Sequence, residues 1–349
     1  MLYRKFGRTG LDISLIGLGT MTFGQQNSET EGHSQMDYAL DRGVNFFDTS
    51  ELYSIPPLPE TAGSTERIIG SWLNARRNRN QVILATKVVG RTVMTWFRAD
   101  GSPGRLTRQQ MTEALHGSLA RLQTDYIDLY QLHWPDRATP FGANPTRYNP
   151  AEFDGDGAPM HATLEILDEF VKAGKVRHIG ISNESAWGTM RFVAESNARR
   201  LPRVQSIQNA YNLLNRTFDV GLAEIALRER VSLIAYSPLA QGYLTGKYQG
   251  GARPVGARNT LFNRGQRYEL PGSADAISAY LAVAAEFELD PAQMAIAFVN
   301  QQPFVASTLV GATTMAQLKT NIDAIDVTLA PEVTARIDAI HQLHGNPAP

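Results

Sequence analysis

Tyr126-Ile-Asp-Leu-Tyr-Gln-Leu-His133 is a short, mostly apolar run that ends on a titratable ring. It reads as a strand. The stretch before it, Thr107–Leu122, has helical spacing with Thr107 as its cap. The stretch after it, His161–Ala173, is helical and is stopped by Gly174. The same alternation extends in both directions. Upstream lie strands Ile16–Thr20, Val44–Phe47 and Val82–Lys87, with helices Ser34–Arg42, ended by Gly43, and Ser64–Asn74, with Ser64 as its cap. Downstream lie strands Val176–Ser182, Ser206–Asn209, Val231–Tyr236 and Val305–Val310. Helices Ala186–Asn197, Val220–Arg230 and Met315–Ile325 follow the first, second and last of these. Pro331–His344 reads as a closing helix with proline in its first turn.

Eight strands alternating with helices predict a parallel sheet. In a chain of 349 residues they predict a closed (β/α)8 barrel as one domain spanning 1–349. An open doubly wound sheet is the alternative. The opening segments Leu2–Phe6 and Leu11–Ile16, around Gly7-Arg-Thr-Gly10, read as a β-hairpin. Three long stretches break the rhythm: Val88–Leu106, Pro135–Met160 and Ala240–Ala274. Each follows a strand, on the barrel side that carries binding and catalysis. An extra helix is expected at Ala274–Phe287, and Gly345–Pro349 is expected to be a loose tail.

Composition excludes several classes. The net charge of −1 favours neither nucleic acid nor an anionic membrane as partner. The absence of cysteine removes disulfides, thiolate catalysis and cysteine-based metal sites. His133, His161 and His178 lie on different elements without paired-ligand spacing, so no metal site is expected. The opening Met1–Arg8 has charges without an apolar core behind them, unlike a signal peptide. Polar residues interrupt the uncharged stretch between Asp290 and Lys319, so it does not read as a membrane span. The cytosol is the expected compartment. Nothing bears on oligomeric state.

Consecutive strands deliver polar groups at their ends. Asp48 ends the first of these strands and Tyr53 lies in the turn beyond it; Lys87 and His133 end the next two. Singly, each has an ordinary reading as turn, packing, solvated or core residue. Jointly they make a site that protonates a carbonyl oxygen. An ammonium at Lys87 is expected to lower the Tyr53 pKa from its usual value of about 10. Asp48 is expected to hold Lys87 charged, and His133 to hydrogen-bond the oxygen. No side chain supplies hydride, so a reduced cofactor is required. A Schiff-base role for Lys87 is disfavoured, because Asp48 keeps it protonated. Gly17-Leu-Gly19-Thr-Met-Thr-Phe-Gly24 has the wrong spacing for a dinucleotide loop, and Gly242–Lys247 is one residue short of a P-loop. Better candidates are Ala235-Tyr-Ser-Pro-Leu239 after the seventh strand and Gly311-Ala-Thr-Thr314 after the eighth, where barrels bind phosphate.

Several passages carry a resemblance. They are Gly17–Gly24, Arg121-Leu-Gln-Thr-Asp-Tyr-Ile-Asp-Leu-Tyr-Gln-Leu-His-Trp-Pro135, Gly174-Lys-Val-Arg-His-Ile-Gly-Ile-Ser-Asn183, Leu244-Thr-Gly-Lys-Tyr248, Gly256-Ala-Arg-Asn-Thr-Leu-Phe262 and Leu309-Val-Gly-Ala-Thr-Thr-Met315. Through them the chain resembles the aldo-keto reductases over nearly its whole length, near the branch of the potassium-channel β-subunits. The resemblance implies a (β/α)8 barrel, NADP(H), a small-molecule carbonyl substrate, Tyr53 as proton donor, and Asp48, Lys87 and His133 beside it. It implies Ser182, Asn183 and Gln208 on the nicotinamide amide and Tyr236 against the ring. Ser237 and Leu239 are implied along the pyrophosphate, and Lys247 and Arg258 on phosphates. Gly311, Thr313, Gln317 and Asn321 are implied around the adenine end, and Thr20, Met21 and Asp48 complete the cofactor contacts. Thr320 departs from the glutamate of the β-subunits. Phe23, Trp96 and Trp134 are expected to join Tyr53 and His133 around the substrate. A redox-sensing NADP-binding adaptor subunit is the alternative function.

Overall fold

The computed structural model describes residues 1–139, 155 and 157–349. Most of the expected loop Pro135–Met160, namely 140–154 and 156, lies outside the described residues. The chain opens with an antiparallel hairpin, β1 (Tyr3–Lys5) and β2 (Asp12–Ser14), as expected. Eight parallel strands then close on themselves: β3 (Ile16–Gly19), β4 (Phe46–Asp48), β5 (Ile83–Val88), β6 (Ile127–Leu132), β7 (Val176–Ser182), β8 (Val204–Ala210), β9 (Ser232–Tyr236) and β10 (Val305–Val310). Closure is made by β10 on β3, with Thr308 opposite Ile16 and Val310 opposite Leu18. The barrel is therefore closed, and the open-sheet alternative is excluded.

Helices cover the outside. They are α1 (Glu29–Asp41), α2 (Ser64–Arg76), α3 (Arg108–Leu122), α4 (Met160–Lys172), α5 (Ala186–Arg199), α6 (Leu222–Glu229), α7 (Arg258–Phe262), α8 (Ser273–Glu286), α9 (Pro291–Asn300), α10 (Met315–Asp323) and α11 (Pro331–His344). Thr107 caps α3 by accepting from the Gln110 N–H. Two expectations change. α1 begins earlier than the apolar spacing suggests, because Ser28 and Glu31 form a reciprocal capping box. Ser64 does not cap α2. Gly63, in the left-handed region at φ 70°, takes that position, and the Ser64 hydroxyl turns to the Phe23 carbonyl and to Ser54.

Two further segments depart from expectation. α9 is buried almost all round, so it lacks the polar face that makes helical spacing visible. Its start is nevertheless marked by Asp290, which accepts from the Gln293 N–H, and by Pro291. The segment after α11 is docked, not loose. Ala348 is fully buried and its N–H donates to the Leu214 carbonyl at 3.2 Å. Ser273 Oγ donates to the Pro347 carbonyl at 3.2 Å, and Arg267 Nε to that of Pro349 at 3.1 Å. Small apolar residues there fill a groove, and its backbone carbonyls find donors.

The barrel interior changes character along its axis. Near the hairpin end, Phe6 and Ile13 pack with Phe46, Ala85, Leu129 and Ile234. Side chains on a strand return to the same face every second residue. Two residues further along, the same strands present Asp48, Lys87, Gln131 and Tyr236. The hairpin thus plugs one end with apolar side chains, and the other end carries the polar chemistry.

Candidate active site

Lys87 is fully buried, and three oxygens surround its ammonium. It donates to Asp48 Oδ2 at 2.6 Å, to the Thr49 carbonyl at 2.8 Å and to the Tyr53 hydroxyl at 3.3 Å. The other Asp48 oxygen accepts from Gln208 Nε2 at 2.7 Å and Gln131 Nε2 at 3.1 Å. Asp48 is 2% exposed, so its charge is balanced by Lys87 and these amides rather than by water. Burial pushes the Lys87 pKa down, but attraction to Asp48 and then Tyr53 outweighs it, and the net shift is upward. Lys87 is therefore held as a cation at neutral pH, unsuited to forming a Schiff base.

Tyr53 corrects an expectation. Its pKa is raised, not lowered: burial is the largest cause, and the nearby Lys87 charge offsets it only in part. The phenol consequently stays protonated across neutral pH. That suits a donor to an alkoxide, because an alkoxide is about as basic as hydroxide and far more basic than a phenolate. The transfer is downhill without a lowered phenol pKa.

His133 stands edge-on to Tyr53, with ring centroids 5.6 Å apart. Burial, then the Lys87 charge, hold its pKa well below the ordinary value, so it is neutral. Ser50 Oγ lies 3.0 Å from His133 Nδ1 and already accepts from the Leu52 N–H at 3.2 Å. We assign the hydroxyl proton to Nδ1, which leaves Nε2–H as a donor. Ser50 and Gln131 escaped sequence reading. Gln131 had a signal, since it alternates with Leu129 and His133 on one face of β6; Ser50 had none.

A second group adjoins this centre. Asn183, at φ 52°, donates from Nδ2 to the His133 carbonyl at 2.9 Å and accepts from the Tyr236 hydroxyl at 2.7 Å. Ser182 Oγ donates to the Gln208 carbonyl at 2.7 Å. Thr20 Oγ1 donates to the Asp48 carbonyl at 2.8 Å. Thus Thr20, Ser182, Asn183, Gln208 and Tyr236 meet around the Asp48–Lys87–Tyr53–His133 centre. Beyond β9 the backbone is left-handed at Ser237, Ala240 and Gln241, sparsely populated conformations that cluster at functional sites. Gly242 is required there by its backbone, whose φ of 97° is one that residues with a Cβ rarely adopt. Leu239 packs against the core at the same turn.

Lys247 and Arg258 are half-buried cations without a carboxylate within salt-bridge distance among the described residues. Burial lowers both pKa values. Arg258 Nη1 lies 3.8 Å from Met21 Sδ, which brings it to the barrel mouth. Two desolvated cations beside a strained turn fit an anionic ligand such as a dinucleotide phosphate. At the start of α10, Thr314 is the N-cap, and Gln317 Oε1 accepts from Thr313 N and Oγ1 at 3.1 and 3.0 Å. Asn321 Nδ2 donates to the Gly311 carbonyl at 3.3 Å. Gly311, Thr313, Gln317 and Asn321 are thereby brought together.

Trp96 and Trp134 gather with Tyr53, Met21, Met94 and Leu52 in a small apolar cluster at the mouth. Phe23 does not join them. It is fully buried in the main core, where its ring packs against Gly32 of α1. Its position after β3 suggested the mouth, but its side chain turns inward beneath α1 and α2. Among the described residues, no cluster of His, Asp or Glu could hold a metal ion, and no helix is long and apolar enough to cross a membrane.

A closed (β/α)8 barrel with a buried Asp–Lys–Tyr–His centre at the polar end of its strands defines a class of oxidoreductase. The chain belongs to the aldo/keto reductase family, whose model matches residues 15–342. It is 50% identical over 355 residues to the protein tas of Escherichia coli, covering all of both chains. It is 32% identical over 351 residues to the uncharacterized oxidoreductase YrpG of Bacillus subtilis, covering all of this chain and 98% of that one. It is also 31% identical over 352 residues to a probable voltage-gated potassium channel subunit beta of rice, covering 98% and 97% of the two chains.

Proposed function

We propose that the chain reduces an aldehyde or ketone to an alcohol with NADPH, Tyr53 giving the proton. One observation carries this reading: a single buried ammonium, Lys87, touches both Asp48 and the Tyr53 hydroxyl, at 2.6 and 3.3 Å. A reduced nicotinamide, when bound, supplies the hydride. Ser182, Asn183 and Gln208 would hold its amide and Tyr236 would lie against its ring. Lys247 and Arg258 would take its phosphates, and Gly311, Thr313, Gln317 and Asn321 its adenine end. Thr20 and Met21 close the same side. His133 Nε2–H and the Tyr53 hydroxyl orient the carbonyl oxygen. As negative charge develops there, Tyr53 gives up its proton and Lys87 stabilises the phenolate left behind.

The test is a panel of aldehydes and ketones with purified protein, following loss of the nicotinamide absorbance with NADPH and with NADH. Turnover is expected for several compounds, with NADPH bound at least about tenfold more tightly than NADH, since one charge-assisted contact contributes about 1.5–3 kcal/mol. Tight NADPH binding with negligible turnover across the panel would replace this reading with the redox-sensing adaptor.

The pKa directions fix a pH profile. Tyr53 and Lys87 are shifted up and must be protonated; His133 is shifted down and must be neutral. The reduction rate is therefore expected to show no titration near pH 6.5, the ordinary histidine value; it should fall on the acid side only well below that value, as His133 protonates, and on the alkaline side only as pH rises beyond about 10. A rate limb centred near pH 6.5 that vanished in His133→Asn would contradict the assignment of a neutral imidazole.

A further inference from the structure

The turn that carries Tyr53 and the loop that carries Trp96 are joined by a buried ion pair. Arg98 Nη1 reaches Glu51 Oε2 and Nη2 reaches Oε1, both at 2.9 Å. The two side chains are 1% and 5% exposed. Glu51 Oε1 also accepts from the Val89 N–H at 2.7 Å, where that loop leaves β5. The loop is tied down at its ends as well. Trp134 Nε1 donates to the Arg91 carbonyl at 2.7 Å, and Asp136 accepts from the Leu106 N–H at 2.8 Å. Between those ends Arg98 is a buried anchor; the neighbouring Ala99 N–H donates to Glu113 Oε1 at 2.8 Å, and Gln110 Nε2 donates to Ser102 Oγ and the Pro103 carbonyl at 2.9 and 3.0 Å. The loop's apolar side chains Met94, Trp96 and Phe97 pack with Leu52 and Tyr53.

Stability alone does not account for this pair, since a buried ion pair costs desolvation that an apolar pair of similar volume avoids. A bidentate fork contributes fixed geometry. It orients Glu51, two residues before Tyr53, and holds the middle of the Trp96 loop in register with it. We propose that Glu51 and Arg98 are positioning residues that hold the Trp96 wall against the Tyr53 turn, and that this wall selects carbonyl compounds with a bulky apolar or aromatic group. Neither residue touches the reacting atoms. The proposal rests on the reductase reading above. It assigns the apolar group of the substrate to the surface formed by Met94, Trp96 and Trp134.

The test uses Arg98→Met, and Glu51→Leu/Arg98→Met, in which no charge is stranded and folding is protected. Each is assayed with NADPH against benzaldehyde and against propanal. For benzaldehyde, KM should rise at least about tenfold, the scale on which apolar pockets discriminate. Its kcat, and both constants for propanal, should stay within about threefold, as expected when only substrate binding is lost. An equal loss for both aldehydes, or no change for either, overturns the proposal. A second readout does not need turnover: acrylamide quenching of tryptophan emission, with Trp96→Phe identifying the Trp96 contribution. Trp96 should become more accessible in both clamp variants, and unchanged quenching refutes the clamp. A wild-type protein that binds NADPH but reduces neither aldehyde strikes the reductase reading instead, while the quenching result still decides the clamp.

Discussion

Tyr53→Phe is expected to lower the carbonyl reduction rate by about 10²–10⁴-fold, the usual contribution of a positioned general acid. The substitution removes one hydroxyl and keeps the ring. The ring's packing partners remain: His133 stays edge-on at 5.6 Å, and the Lys87 ammonium stays 4.7 Å from the ring centroid. NADPH affinity should therefore be unchanged, because Asn183, Gln208, Tyr236, Lys247 and Arg258 are untouched. Steady-state kinetics together with a fluorescence titration of the cofactor separate the two effects. The loss should fall on kcat, as for a group that acts only in the transition state. Full retained turnover would remove Tyr53 as the acid and point to His133 Nε2–H.

The parts of this site that the sequence made legible are those governed by strand periodicity. Asp48, Lys87 and His133 end strands, and the polar layer lies two residues beyond an apolar one on the same strands. Gln131 obeys the same rule, but it sits inside an apolar run and reads as one more strand residue until the barrel closes. Ser182, Asn183 and Gln208 are named through family resemblance and no local pattern marks them, whereas Tyr236 is also marked by its place at the end of the seventh strand. Packing decided the rest. Phe23 lies in the same turn as Thr20 and Met21, yet its ring enters the core. The Tyr53 pKa moves upward because burial outweighs a charge that sequence alone shows as the nearest influence. The docked segment after α11 is invisible to composition, because small residues and prolines compose loose tails and tight plugs alike. α9 hid for the opposite reason: burial on every side erases the amphipathic signal.

Lys87→Met is expected to destabilise the fold by about 3–5 kcal/mol, the cost of breaking a buried ion pair from one side. The ammonium is fully buried and makes three hydrogen bonds, so its loss strands more than one partner. Asp48 then depends on Gln131 and Gln208 alone, both held on its other oxygen. Asp48→Asn leaves the opposite problem, an ammonium facing a neutral amide. The double variant Asp48→Asn/Lys87→Met removes both charges and keeps similar shapes. It should be more stable than the sum of the single losses implies, with a coupling of about 0.5–3 kcal/mol or more. Urea unfolding of all four proteins measures this, because deletions that merely damage packing at separate points would add. The activity pattern should differ from the stability pattern. Both Lys87→Met proteins should be slow to reduce carbonyls, since neither has a cation to support the departing Tyr53 proton, even where the double substitution restores the fold. Stability recovered without turnover would separate the two duties of Lys87, neutralising Asp48 and supporting Tyr53. Strict additivity in the cycle would mean that the ammonium and carboxylate, 2.6 Å apart, are not energetically coupled.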